Sequence, residues 1–252
     1  DEAWSAAIGA SVLLGIFVGT IAGGYLTDRI GRKKMFIVDI VAIGTFSILS
    51  VFCADPLQLV AARFFIGVFV GADYPIATSL IAEFTPKQHR SISMGMVSAA
   101  WYLGATVAAF VGYFLYSVAG GWQWMLGSAV IPCIILLVGR HDIPESPMWL
   151  AQKGRTEEAD AVMRRVFGEG VELELEDPGE KTSLRKVFAG GYAKRIVFLG
   201  ILTLCQVVPM YAIYTFGPEI MTAFGLGEGH EAILGESVVS LFFLIGSIPA
   251  MF

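Results

Sequence analysis

The feature that most constrains this chain is a series of long apolar blocks, with nearly all its charges confined to the stretches between them. Seven blocks can be drawn, at about 4–26, 35–53, 57–82, 92–117, 121–139, 195–217 and 232–252. Crossing ~30 Å of hydrocarbon takes about 20 apolar residues in an α-helix. Water is absent there, so a spanning segment must satisfy its backbone N–H and C=O groups internally. Composition agrees: hydrophobic residues make up 56% of the 252 and charged ones 15%, against about 25% charged in soluble domains. An all-α, multi-pass membrane protein is expected. The chain starts without Met and stops at Phe252 inside an apolar run, so a truncated chain with an incomplete last span is expected.

Basic residues test the topology, because orientation follows local Lys and Arg rather than net charge. Of the 17, all but Arg63 fall after the first, third and fifth blocks or at the start of the sixth. They are Arg29, Arg32, Lys33 and Lys34; then Lys87 and Arg90; then Arg140 through Arg195. The alternate connections, 1–3, 54–56, 118–120 and 218–231, hold neither Lys nor Arg. This alternation places the chain start outside and residues 140–194 in the cytosol of a plasma membrane, with a bacterial inner membrane suggested by the short loops.

Other classes are disfavoured. A net charge of −5 gives no footing for nucleic acid. The first block is too long, and lacks the basic start, of a signal peptide. Cys53, Cys133 and Cys205 lie in or beside apolar blocks and read as buried reduced thiols, without metal or disulfide spacing. His89, His141 and His230 lie in loops and pair with no Cys or carboxylate at ligand spacing. Neither enzyme chemistry, nor a metal, nor a cofactor is expected.

Residues 140–194 are the one long polar stretch. Ser146 can cap a short helix with Pro147 at its first position and Gly154 at its end. Thr156 can cap a second helix running to about Phe167, with Glu157 and Glu158 in its first turn and Arg164 and Arg165 in its last. Residues 183–188 read as an amphipathic piece at the membrane surface. The stretch is either a plain solvated connector or a latch between two bundles.

Between the first two blocks stands Gly24-Tyr25-Leu26-Thr27-Asp28-Arg29-Ile30-Gly31-Arg32-Lys33. Gly24 would allow close helix approach, Asp28 would end a helix, and Gly31 would permit a tight reversal. The run resembles, at every defined position, the signature loop of the major facilitator superfamily. Pro144-Glu145-Ser146-Pro147-Met148-Trp149-Leu150, followed by Lys153-Gly154-Arg155, resembles a segment of sugar-porter-like members, with Met148 at their usual Arg. Ala82-Glu83-Phe84-Thr85-Pro86 with Arg90 is similar to the end of the family's fourth helix.

The resemblance implies a major facilitator fold, with this chain covering about helices 2–8 of 12. Residues 1–139 would be an N-terminal bundle lacking its first helix, 140–194 a cytosolic helical linker, and 195–252 the start of the C-terminal bundle. It also implies cytosolic ion pairs that hold the inside shut. Gly24, Asp28, Arg29, Gly31, Arg32, Glu83, Arg90 and Glu145 are the gate candidates, and Arg140 is a further one. Met148, in place of that Arg, weakens one arm of that network.

Within the third block, Arg63, Gly67 and Gly71 share one helical face. A charge held in the membrane costs about 2.5–3.5 kcal/mol on insertion scales. Arg63 should therefore face the bundle interior or water, where the resemblance implies a carboxylate of the family's first helix beside it; the alternative is snorkelling to the outer interface. Asp73 lies deeper, in Gly71-Ala72-Asp73-Tyr74-Pro75. Loss of water favours a carboxyl's neutral form, so Asp73 is a proton-site candidate or a structural acid paired with a basic neighbour. Its stretch resembles that of proton-coupled phosphate symporters, where the Asp serves the proton path and the Tyr contacts phosphate. Asp39 reads as a structural pair with Lys33 or Lys34.

The substrate positions depart from phosphate symporters. Trp101-Tyr102-Leu103-Gly104 stands where a fifth-helix Gln is usual. In the seventh helix Gln206 is kept, and Tyr211 replaces the Asn of sugar porters. Trp101, Gln206, Tyr211 and Tyr214, with Tyr74, are the pocket candidates; aromatics with polar tips suit a moderately polar organic solute. The expected function is secondary transport of a small organic metabolite (a sugar, an organic acid or similar) by alternating access, with the proton as coupling ion. The protein would work as a monomer, with the small-molecule substrate and the bilayer as its partners. An inorganic phosphate:proton symporter, an uncoupled facilitator and, more remotely, a transporter-like sensor are the alternatives.

Overall fold

The computed structural model describes residues 2–86, 88–168, 192–225 and 229–249, and among them the secondary structure is helical throughout. The helices are α1 (Glu2–Ile30), α2 (Arg32–Val51), α3 (Pro56–Phe84), α4 (Arg90–Leu115), α5 (Gly121–Ser128), α6 (Val130–Arg140), α7 (Pro147–Gln152), α8 (Thr156–Phe167), α9 (Ala193–Ala223) and α10 (His230–Ser247). Among the described residues, seven helical segments are long and apolar enough to span a bilayer: α1, α2, α3, α4, α5 with α6, α9 and α10. All seven blocks in the sequence thus become spans. Some run longer than drawn: α1 continues to Ile30 and α9 to Ala223.

The block at 121–139 forms two helices, α5 and α6, that meet at Ala129. Pro132 follows closely; lacking an N–H, it cannot bond the Ser128 carbonyl, which loosens the turn there. α3 runs on through Pro75, although Pro75 has no N–H to donate to the Gly71 carbonyl.

Contacts divide the chain into two compact units, residues 1–172 with 237–252, and residues 173–236. In the first, α1 and α3 meet backbone to backbone. A Cβ added to Gly15 would stand 2.2 Å from the Phe64 carbonyl oxygen, one on Gly19 1.9 Å from that of Val68, and one on Gly71 2.3 Å from that of Ile16. Thr20 Oγ1 fastens the seam, donating to the carbonyls of Ile16 at 2.8 Å and Gly71 at 3.2 Å. Small residues at such spacing let helices approach in lipid, where packing rather than water exclusion holds them. Gly24 has no part in this: nothing lies within 4 Å of a Cβ placed there. Gly23 is the contact residue: a Cβ placed there would stand 2.5 Å from the Ala72 side chain. A bulky residue at Gly19 therefore meets main chain that cannot rotate away. Gly19→Val is expected to cost at least the ~1–3 kcal/mol of an overpacked core; a clear fall in the unfolding temperature of the purified full-length protein checks this.

Toward the basic loops, Met35, Phe36, Ile76 and Leu80 form a buried cluster, with Ala77, Phe84 and Ile143 against it. Beside it α7 and α8 pack through Trp149, Leu150 and Ala159. Ser146 caps α7, its Oγ accepting the Trp149 N–H at 3.0 Å, and Gly154 turns the chain at φ +76°. The second cap differs from expectation: Arg155 precedes α8 and Thr156 is its first helical residue. The Arg155 guanidinium reaches Glu158 with bonds of 2.7 and 2.6 Å, holding that carboxyl below its ordinary range. Residues 183–188, read as an amphipathic piece, lie outside the described residues.

In the second unit α9 breaks at Phe216 (φ −120°, ψ 22°), just before Pro218. Gly217 faces Glu236 of α10, whose carboxyl carbon would stand 2.7 Å from an added Cβ. The three cysteines are free thiols, but only Cys133 is buried; Cys53 is partly exposed and Cys205 exposed. The expectation of three buried thiols is corrected: a helix can turn an apolar side chain toward lipid as readily as inward.

Candidate functional site

The α1–α2 turn is built around Gly31. Its φ of +109° is open to glycine and strained for other residues. It lets the chain reverse at once from α1 into α2, leaving the first N–H groups of α2 without helical partners. Glu145 takes them. Its Oε1 accepts from Arg32 N at 2.8 Å and Lys33 N at 2.9 Å, and from Ser146 N at 3.1 Å. A carboxylate at a helix start also meets the positive end of the helix dipole. An added Cβ on Gly31 would stand 2.6 Å from Glu145 Oε2, so the glycine also makes room for the acid.

Four further contacts close this latch. The Arg32 guanidinium pairs with Glu83 at the end of α3. The Ser146 hydroxyl donates to the other oxygen of Glu83. Trp149 Nε1 donates to the Asp28 carbonyl at 3.0 Å, and Lys33 Nζ to that of His141 at 3.0 Å. Segment 141–149 is thereby bonded to the ends of α1, α2 and α3. Ser146→Ala removes both the cap of α7 and a hydroxyl bond to Glu83; an N-cap alone contributes ~1 kcal/mol. A drop of at least that size in the unfolding free energy of the full-length protein is expected.

Of the gate candidates, Arg32, Glu83 and Glu145 are brought together, with Gly31 at the turn. Asp28 joins by its carbonyl, while Arg29 lies over the Tyr25 ring at 4.4 Å. Gly24 and Asp28, with Thr27, Arg32, Pro75, Ile76 and Ser79, line a cavity of about 200 Å³. Arg90 stands exposed at the start of α4, with no ion pair to a carboxylate among the described residues.

One helical turn or more farther in lies a second cluster, centred on Arg140 at the end of α6. Its Nη1 donates to the Phe36 carbonyl at 2.7 Å and to Asp39 Oδ1 at 3.2 Å; its Nη2 donates to Asp73 Oδ1 at 3.0 Å. The guanidinium also lies 3.3 Å from the Phe36 ring centroid, a favourable cation–π position. The Asp39 side chain is fully buried and that of Arg140 nearly so, while Asp73 is 28% exposed. Asp39 therefore pairs with Arg140, not with Lys33 or Lys34. The reason is directional: Lys33 points to the His141 carbonyl, whereas Asp39 lies on the α2 face that meets α6. Asp73 has the same partner rather than Arg63. Arg63 keeps a buried Nε without a hydrogen bond, and among the described residues no carboxylate pairs with it.

The pocket candidates divide between the units. Tyr74 and Trp101 belong to the first, with Tyr74 63% exposed. Trp101 packs edge-on against Tyr102, which stacks on Phe243 of α10 at 6.0 Å. Gln206, exposed, and Tyr211 and Tyr214, partly buried, belong to the second, along α9. Sequence reasoning passed over Glu236 and the Asp39–Arg140 link. An acid at the fifth position of the last block was the available signal for the first; for the second, two acids and an Arg were visible in separate helices, but nothing in the chain order pairs them.

Known proteins resemble this chain in sequence and fold. YaaU of Escherichia coli (strain K12), named for metabolite transport, is 49% identical over 251 residues, 100% of this chain and 56% of its own length. The arabinose-proton symporter of Bacillus subtilis (strain 168) is 30% identical, over 94% of this chain and 54% of its length. The chain thus spans about half the length of these relatives. Among solved structures, the major facilitator superfamily proton:xylose symporter XylE superposes with a TM-score of 0.83 at 24% identity, covering all of this chain and 60% of XylE. The helices adopt the major facilitator fold. The family described as "Sugar (and other) transporter" matches residues 1–251; its members are transporters rather than enzymes, and this multi-pass membrane chain belongs to that family.

Proposed function

We propose that the protein is a secondary transporter that moves a small organic metabolite, with a proton, by alternating access. The observation that carries this reading is Asp73: a partly accessible carboxyl inside a span, held by a buried guanidinium at 3.0 Å. Such a group is costly in a membrane and is kept where ions or solutes pass. The arabinose-proton symporter adds support for proton coupling and for a sugar or sugar-like solute. In this reading the two halves rock about a site near the membrane midplane. Trp101, Tyr74, Gln206, Tyr211 and Tyr214 would line that site, and Arg63 would face it.

The basic loops would lie in the cytosol of a plasma membrane, by the positive-inside rule, and the chain start outside. The Glu145 latch would then be the inner gate, closed while the substrate site faces outward. Residues 1–139 and 195–252 would belong to opposite halves, with 140–194 as the connector, and the protein would act as a monomer.

Uptake by the full-length protein in proteoliposomes tests the coupling. Radiolabelled pentoses, hexoses and small organic acids serve as probes. An inward proton gradient should drive the accepted solute above equilibrium in wild type. Asp73→Asn should retain solute exchange yet lose uphill accumulation. Equal initial rates with and without the gradient would leave an uncoupled facilitator instead.

A further inference from the structure

Asp39 and Asp73 both place Oδ1 on one guanidinium, that of Arg140, at 3.2 and 3.0 Å. One cation neutralises one carboxylate. A second ionised carboxylate in the same buried place would be uncompensated, and like charges this close do not both ionise readily. The hydrogen-bond inventory points the same way. Asp39 Oδ1 already accepts from Ile40 N at 2.6 Å and from Arg140. Its Oδ2 is buried and has no partner. A buried polar oxygen without a bond is costly, and the Asp73 carboxyl is held on the same guanidinium. Two carboxylates cannot bond each other, since both only accept; a carboxylic acid and a carboxylate can.

We propose that Asp39 and Asp73 hold one proton between them beneath Arg140, so that the proton site is this pair rather than Asp73 alone. This rests on the symport reading and names its titrating unit. The proton forms an O–H bond on one carboxyl and a hydrogen bond to the other, leaving the group neutral: one guanidinium, one carboxylate, one acid. On release that O–H bond breaks, its electron pair stays on the carboxylate oxygen, and water takes the proton. Asp39 is sealed, so the exit is through Asp73, the exposed member. The cluster is then left with a net charge of −1.

Among the described residues, no second cation pairs with either acid. From α3 comes Asp73; from α6 come Arg140 and the Cys133 thiol. α5 has no ionisable side chain, and the charged groups at the end of α1, Asp28 and Arg29, lie at the turn beside Arg32. Arg63 of α3 makes no pair with either acid. The three members sit on three helices, so any shift among α2, α3 and α6 alters which carboxylate the guanidinium neutralises. Arg140 is also only five positions before Glu145. The proton site and the gate latch are thus joined by one short strand of main chain.

Infrared difference spectroscopy of the full-length protein in lipid vesicles tests this, with the proton itself as probe. A step to higher pH should remove a protonated-carboxyl C=O band in wild type. Asp39→Asn and Asp73→Asn should each abolish that component, because either amide leaves a lone carboxylate paired with Arg140. Both substitutions are near-isosteric, and unchanged chromatographic and circular-dichroism profiles establish that the variants fold. A component that survives in either variant, or is absent from wild type, overturns shared protonation. Gradient-driven uptake measured in parallel separates the two claims: driven uptake with no shared band sinks the pair but keeps symport, and a shared band without driven uptake does the reverse.

Discussion

Arg140→Met is expected to destabilise the protein more than any other single change in the first unit, by about 3–5 kcal/mol, the range for removing one partner of a buried ion pair. Two carboxyls would then share a buried place without a cation, the Phe36 carbonyl would lose its donor, and the Phe36 ring its cation. The loss should shrink as pH falls, because protonation neutralises both acids. It should also shrink when Asp39→Asn and Asp73→Asn are added, since the triple variant carries no buried charge there. Denaturant or thermal unfolding of the full-length variants at two pH values measures this. A pH-independent loss that the added substitutions do not relieve would assign Arg140 a packing role instead.

The second large effect is expected at Glu145→Ala. One oxygen of Glu145 serves three amides, two of them the opening N–H groups of α2. Bonds to a charged acceptor contribute about 1.5–3 kcal/mol each and do not add fully, so a loss of about 3 kcal/mol is expected. The consequence is local as well as global. With the acid gone, segment 141–149 keeps the hydrogen bonds made by Ser146, Trp149 and Lys33 and the packing of Ile143. Trypsin cleavage at Arg29, Arg32, Lys33 and Lys34 should accelerate in vesicles that expose this face. Unchanged cleavage together with unchanged stability would show that Glu145 does not hold the latch.

The fold was legible in the chain because a bilayer allows few solutions. Seven apolar blocks predicted seven spans, and the basic residues marked alternate connections. Local chemistry was legible too: Ser146 and Pro147 announced α7, and Gly31 announced the turn. The misjudged features are those decided by contacts between distant segments. Gly24 and Gly23 are equivalent by composition, and only the rotation of α1 against α3 makes Gly23 the contact residue. Asp39 has Lys33 and Lys34 nearby in sequence, yet its side chain sits on the face that meets α6, where Arg140 waits 101 residues away. Thr156 is a good cap by type, but the chain leaves Gly154 in a way that makes Arg155 the preceding residue.

The gate residues show the same division. The signature loop and the Glu145 segment each stood out as local motifs, and their meeting explains why both are needed: one supplies amide donors, the other the carboxylate. The pocket candidates had only residue type and helix position behind them, and they fall in two separate units of the chain. Their roles rest on the functional proposal.

The most direct test of that proposal is lumenal pH in proteoliposomes holding the full-length protein, followed with a trapped dye as an accepted solute is added outside with no imposed gradient. Proton symport predicts that the lumen acidifies as the solute enters, and that Asp73→Asn abolishes the acidification. Solute entry at a constant lumenal pH would contradict it.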